Sequence, residues 1–266
     1  SNSHVQKVAV FTQYNAGSLN RHMNSSKWWD FGRKQGGLYV LTPAMTCDNS
    51  SWYRGTADAI YQNLGFLKES HEPDVIIAPG DCVYKMDFNA LLEYHVDKKA
   101  DITVVCKDLP EGYDMSRYGT IMMNEEMRVV GFEEKPLQPK TRTISCGIYI
   151  IRRRLLIDVI EKCAEEDRYD FVRDVIIRYK DVKRMFGYKI TSYWKNIASV
   201  EDYFETNMDF LNPDIRNYFF KQYPNIYSKV DDLPPAKYNP GASLKNSLVS
   251  SGCIVNGTVE NSILFK

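Results

Sequence analysis

The sequence predicts an α/β protein: a mixed, mainly parallel sheet flanked by helices, followed by the first turns of a parallel β-helix. Three observations carry that prediction. Short apolar runs alternate with segments of helical spacing through the first part of the chain. One of those runs closes on Gly80–Asp81, a strand end of the kind found in parallel sheets. Near the end, positions recur at a six-residue step, with Val249, Val255 and Asn261 in one register and Cys253, Val259 and Phe265 in another.

The elements follow in order. "VQKVAVFT" (residues 5–12) predicts a strand, "SLNRHM" a short helix and "GLYVLTP" (37–43) a second strand. The strand begins almost at the first residue, so a preceding βα unit is expected to be missing. "TADAIYQNLGFLKES" (56–70) has helical spacing, with Thr56 as its expected N-cap. "DVIIAPGD" (74–81) reads as a buried parallel strand. A helix over "FNALLEYHVDKKA" and a strand over "DITVVCKDL" continue the alternation.

From residue 117 the pattern changes to an inserted antiparallel portion. "YGTIMMNEEMRVVGFEEKP" predicts a hairpin turning near Asn124–Glu126, and "ISCGIYIIRR" another strand. Helices are expected at 153–166 and 171–180, strands at "FGYKI" and "SYWKNI", and a helix from about 199 to 211. Ser199 precedes that last helix, and Asp202 stands where a capping box has Glu or Gln. Residues 1–223 thus form one expected domain. Residues 224–243, with four prolines, form a linker, and 244–266 start the β-helix. A terminal β-hairpin is the alternative for the last segment.

Hydrophobic residues make up 44% of the 266, so a sizeable core is available. Lys+Arg and Asp+Glu are both 34, which argues against a general nucleic-acid or membrane-surface binder. The six cysteines include no C-x-x-C pair, and the four histidines form no metal motif. No signal peptide or apolar run near 18 residues is visible, so a cytoplasmic location is expected.

Ligands of α/β sheets sit at the carboxyl ends of strands. Gly80–Asp81 offers a carboxylate for a metal. Gly55 and Thr56 open a helix whose free N–H groups suit an anion or a base edge. Glu134–Lys135, before Pro136, offers a cation for a phosphate. Asn196 lies at another strand end, just before the Ser199 cap.

Together these segments carry a resemblance. "FTQY…SLNRH", "WYRGTADAIYQN", "PGDCVYKMD", "YGTIMM…VVGFEEKP", "SCGIYII", "YDFVRDVI" and "YWKNIASVEDYFETNMDFL" resemble glucose-1-phosphate adenylyltransferase over nearly the whole chain. The resemblance implies a Rossmann-like nucleotidyltransferase domain, a left-handed β-helix and a tetramer. It implies that ATP and glucose 1-phosphate become ADP-glucose, for glycogen or starch synthesis, with magnesium. It assigns Gln13, Tyr53, Gly55, Thr56, Ala57 and Gly80 to the nucleotide. It assigns Asp81 to the metal, and Glu134, Lys135, Ser145, Gly147, Tyr149, Asp170 and Phe171 to the sugar phosphate. Three departures stand out. The glycine-rich phosphate loop has no counterpart. The family's "Trp-Glu-Asp" strand end reads "WKN", which puts Lys195 and Asn196 where two acids are expected. Cys82 replaces the usual histidine. An amide lacks the negative charge that a hard cation favours, and Lys195 is expected to add a repelling charge. These departures resemble a bacterial regulatory subunit that partners a catalytic subunit in a hetero- or homotetramer. The alternatives are a weakly active adenylyltransferase, another sugar-1-phosphate nucleotidyltransferase, or a sensor without turnover.

Overall fold

The computed structural model describes residues 3–23, 29, 36–43 and 52–265, so Cys47 lies outside the described residues. The first strand, β1 (Lys7–Phe11), is followed by α1 (Ala16–Met23) and by β2 (Gly37–Leu41), which runs parallel to β1. The Lys7 ammonium ties this pair to the domain, 4.1 Å from the centre of the Phe66 ring and 3.1 Å from Ser70 Oγ.

The helical spacing over 56–70 resolves into α2 (Thr56–Gln62) and α3 (Leu64–Lys68). The break is at Asn63, whose side chain donates to the Ala59 carbonyl and the Tyr53 hydroxyl, both at 2.9 Å. Such bonds compete with the helical ladder. Gly55, not Thr56, is the N-cap, and no side chain caps the helix.

The next elements are β3 (Asp74–Ile77), β4 (Cys82–Tyr84), α4 (Phe88–Asp97), β5 (Ile102–Asp108), β6 (Gly119–Met123), β7 (Val129–Glu134) and β8 (Thr143–Arg152). They lead to α5 (Arg153–Glu165), a π-helical stretch (Val172–Ile177), β9 (Met185–Lys189), β10 (Trp194–Asn196), α6 (Val200–Asp209) and α7 (Pro213–Phe220). The six-stranded sheet runs β7-β6-β8-β5-β9, with β3 also on β8. The ten-residue β8 carries β5 along one edge, and β3 and β6 end to end on the other.

β3, β5, β6 and β9 therefore share one direction, against β7 and β8. The sheet is mixed, and most of its strands point the same way. Because β8 lies among them, most neighbouring pairs are nonetheless antiparallel. β3, expected as a buried parallel strand, pairs antiparallel with β8 and is only half-buried. Ile102–Cys106 of β5 are fully buried because both sheet faces are covered. Leu156, Val159 and Ile160 of α5 pack in one core, and Leu91 of α4 with Trp194 in the other. Among the described residues no helix is long and apolar enough to cross a membrane.

The Asn-Pro at 212–213 starts α7 with an Asn212 cap, an element the sequence reading missed. The terminal segment forms three parallel pairs: β11 (Lys237–Tyr238) with β14 (Ile254–Val255), β12 (Ser243–Lys245) with β15 (Thr258–Glu260), and β13 (Leu248–Val249) with β16 (Ile263–Leu264). Parallel pairing rules out the terminal hairpin. These strands start at Lys237, inside the expected linker. Asn261 is not a core position: it turns a corner at φ +44°, below Asn246 at φ +43°. The amide of Asn246 donates to Asn261 Oδ1 at 2.8 Å, so the corners stack.

Candidate functional site

The expected sugar-phosphate residues gather around a bulge in β8. Val104 lies opposite Tyr149 and Cys106 opposite Ser145, so β8 holds extra residues between them. Gly147 occupies this bulge at φ +73°, a conformation that favours glycine. Ser145 Oγ then lies 3.3 Å from the Tyr149 hydroxyl and accepts the Gly147 N–H at 3.3 Å. The Phe171 ring packs edge-on against Tyr149 at 5.5 Å, and both rings are buried. The spacing Ser-x-Gly-x-Tyr is thus a bulge that presents a hydroxyl pair.

Glu134 and Lys135 reach the same neighbourhood from the end of β7. Glu134 pairs across the ladder with Gly119, where an added Cβ would meet Glu134 Oε2 at 2.9 Å and Phe132 Cε1 at 2.8 Å. Gly119 therefore makes room for the carboxylate. Burial pushes the Glu134 pKa up; the Asp170 charge adds to this, and Lys135 and Arg173 oppose it. Burial likewise raises Tyr149, with Glu134 and Asp170 among the charges that add. Lys135 sits at φ +49°, and its N–H donates to the Tyr118 carbonyl at 3.2 Å. Its exposed ammonium makes no ion pair among the described residues. Asp170 is exposed and accepts the Arg173 N–H at 2.8 Å. The sequence reading missed Gly119 and Arg173. A glycine opening a strand was the available signal for the first, and Asp-x-x-Arg at a helix start for the second.

The expected nucleotide residues form a second group. Gln13 Nε2 donates to the Tyr53 carbonyl at 3.5 Å, which joins the first strand pair to the "WYRGT" segment. Desolvation raises the Tyr53 pKa, with Asn63's hydrogen bond opposing. At the α2 N-terminus one of the donors expected to be free is taken within the chain. Ala57 N–H donates to the Tyr169 carbonyl at 2.8 Å, and Thr56 Oγ1 accepts from Phe171 N–H at 3.0 Å. Gly80 borders open space.

The expected metal side is a two-stranded ribbon. β10 pairs antiparallel with β4, which sets Asn196 opposite Cys82. Ile197 N–H donates to the Asp81 carbonyl at 2.7 Å, so Asp81 and Asn196 adjoin. Asn196 Nδ2 lies 3.6 Å from Cys82 Sγ, which lies 3.6 Å from Asp81 Oδ1. Burial pushes the Cys82 thiol up to about 12; Asn196 opposes this and Asp81 adds to it. The thiol is neutral at neutral pH.

Lys195 is engaged by two acids on α6. Its ammonium pairs with Asp209 Oδ2 at 3.0 Å and Glu205 Oε2 at 3.5 Å on α6. Burial lowers its pKa, but Asp209 and Glu205 outweigh that and hold it above the ordinary value. Adjacent strand residues face opposite ways, so Lys195 and Asn196 point apart. Among the described residues no three His, Cys, Asp or Glu side chains converge to hold a metal. Asp81 is exposed, and the Asn196 amide and the Cys82 thiol lie beside it. That set fits magnesium held largely by water and substrate phosphates rather than a protein cage.

Comparison with known proteins adds the following. A family model described as nucleotidyl transferase matches residues 1–212. Glucose-1-phosphate adenylyltransferase of Thermosipho africanus (strain TCF52B) is 37% identical over 265 residues, covering 99% of this chain and 64% of that protein. The protein of the same name from Geobacillus stearothermophilus is 38% identical over 269 residues, covering 100% and 69%. That of Clostridium novyi (strain NT) is 39% identical over 272 residues, covering 100% and 70%. The chain thus spans roughly two thirds of the length of these relatives.

Proposed function

We propose, from the premise that this chain belongs to the nucleotidyl transferases and within them to the glucose-1-phosphate adenylyltransferase family, that it is a regulatory subunit of such an enzyme. Its ligands are ATP or ADP-glucose and glucose 1-phosphate, and its partner is a catalytic subunit in a tetramer of glycogen synthesis. The three parallel strand pairs are the start of a left-handed β-helix.

One observation carries the regulatory reading. The β4–β10 ribbon brings Asp81 a neutral amide and a neutral thiol as neighbours, in place of a second carboxylate. Asp81, with the Asn196 carbonyl, is the place where magnesium would bind. When bound, magnesium neutralises charge on the nucleotide phosphates. The remaining work falls to the chain. Lys135 and Arg173 orient the sugar phosphate, Glu134 and Asp170 accept sugar hydroxyls, and Ser145 with Tyr149 closes the pocket wall. Binding of the sugar phosphate is thus retained while the metal side is weakened.

The test is an ADP-glucose synthesis assay of the full-length protein, alone and mixed with its catalytic partner. The reading expects little turnover alone and an altered response of the partner in the mixture. Turnover alone that equals the partner's would instead favour a working enzyme with asparagine as metal ligand.

A further inference from the structure

A network of side-chain contacts joins the proposed nucleotide and sugar halves of the site. Asp58, 2% exposed on α2, accepts from Arg54 N–H at 2.8 Å, from Arg54 Nη2 at 3.2 Å and from Gln62 Nε2 at 2.9 Å. So gripped, the Arg54 guanidinium lies 3.9 Å from the centre of the Tyr169 ring, and its Nη1 donates to the Tyr169 hydroxyl at 2.6 Å. That hydroxyl donates to Asp167 Oδ1 at 2.6 Å.

Beneath this cover the two backbones touch. Ala57 N–H meets the Tyr169 carbonyl, and Phe171 N–H meets Thr56 Oγ1. Gly55 is extended, at φ 178°, which any residue adopts. Yet a Cβ there would lie 2.4 Å from the Tyr169 carbonyl oxygen. Glycine is needed for close approach alone.

We propose that Arg54 and Tyr169 form a clasp that makes residues 53–57 and 167–171 one mechanical unit. Arg54 is then a positioning residue: it reaches Asp170 and Phe171 through Tyr169, and so sets the sugar side from the nucleotide side. Gly55 and Thr56 serve as docking residues of the same clasp. The inference rests on the functional reading for its ligand, but not for its mechanics.

The experiment uses Tyr169→Ala, which leaves the Arg54–Asp58 grip intact, and Gly55→Ala, which wedges the backbones apart. Hydrogen exchange of the free chain is read first. The clasp requires the amides of Ala57 and Phe171 to exchange at least tenfold faster together, in both variants. Faster exchange confined to the mutated segment overturns it. Glucose 1-phosphate is then titrated calorimetrically, with an expected affinity loss of about tenfold in both variants and an unchanged circular dichroism spectrum. Wild-type affinity in folded variants also overturns the positioning role. A wild-type chain that binds no glucose 1-phosphate counts against the functional reading, and the exchange arm still decides the clasp.

Discussion

The proposed sugar-phosphate side and the proposed metal side of the site are built to different standards. The first stands on the six-stranded sheet, where Ser145, Tyr149 and Phe171 are buried and fixed by a bulge, an edge-on ring contact and a hydroxyl pair. The second is a two-stranded ribbon of three residue pairs beside an exposed Asp81, and among the described residues no group of three His, Cys, Asp or Glu gathers there. Rigid, well-packed elements hold a binding geometry with little reorganisation. A ribbon with one carboxylate can place a phosphate-bound cation only weakly. Under the proposed function, the difference teaches that recognition and chemistry are separable in this fold.

The contrast breaks most readily at Lys135. Its ammonium is unpaired among the described residues, so its charge is free for a phosphate. A hydrogen bond to a charged group contributes about 1.5–3 kcal/mol, or roughly 10- to 100-fold in affinity. Lys135→Ala should therefore weaken glucose 1-phosphate binding by that factor in calorimetry. Asn196→Asp should leave the same affinity within about twofold. Equal losses in both variants would erase the distinction between the two sides.

A smaller effect concerns the metal side. Asn196→Asp adds a carboxylate next to Asp81 and should tighten magnesium binding about tenfold, or roughly 1.4 kcal/mol, when titrated with ATP present. Adding Lys195→Glu should bring no further gain, because Lys195 faces Asp209 and Glu205 on α6. It should instead lower stability by about 1–2 kcal/mol in denaturant melts, since a third acid replaces the partner of two. A double variant that binds magnesium more tightly than Asn196→Asp would return Lys195 to the metal side.

That pair of residues also marks where the sequence was legible. Type and order of most elements followed from apolar spacing, and the Ser199 cap formed as read, accepting the Asp202 N–H at 3.1 Å. That Ser145, Gly147 and Tyr149 come together was legible because they are a local motif. The face of a side chain was not: Lys195 and Asn196 are neighbours in sequence, and only the pairing of β10 with β4 separates them. The antiparallel setting of β3 was hidden for the same reason, since it depends on a partner more than seventy residues away in the chain. The Thr56 cap failed because its hydroxyl serves Phe171, a tertiary contact invisible to local spacing.

Acidity provides a second handle on the proposed sugar side. Burial raises the Glu134 pKa in the folded chain. The folded state therefore binds this proton more tightly, and the associated stability is present at low pH and lost as pH rises through the folded pKa. Glu134→Gln should be more stable than wild type at neutral pH, with the difference vanishing below the ordinary glutamate range. Melting curves at neutral and acid pH measure it. A variant less stable than wild type at neutral pH would mean that the carboxylate has a folding role besides its proposed ligand role.

The smallest expected effect lies in a charged tie between the two sides. Arg117, two residues before Gly119, pairs with Asp202 in the first turn of α6, with Nη1 at 3.2 Å from Oδ1. Asp202 also accepts Ala198 N–H at 3.1 Å, just past Asn196. The Arg117 hydrogen bond leads the causes that hold the Asp202 pKa down, at about 2. A depressed carboxylate stabilises the fold above its unfolded value of about 4, and that contribution fades as pH falls through the folded value. The pair is partly exposed, so Arg117→Ala should cost about 1 kcal/mol or less at neutral pH. The gap between wild type and variant should close as pH drops from about 4 towards 2. If the tie also relays between the two sides, Arg117→Ala should weaken the response of magnesium affinity to added glucose 1-phosphate. An unchanged response with the expected stability loss would leave the pair a helix cap alone, and the two sides independent of it.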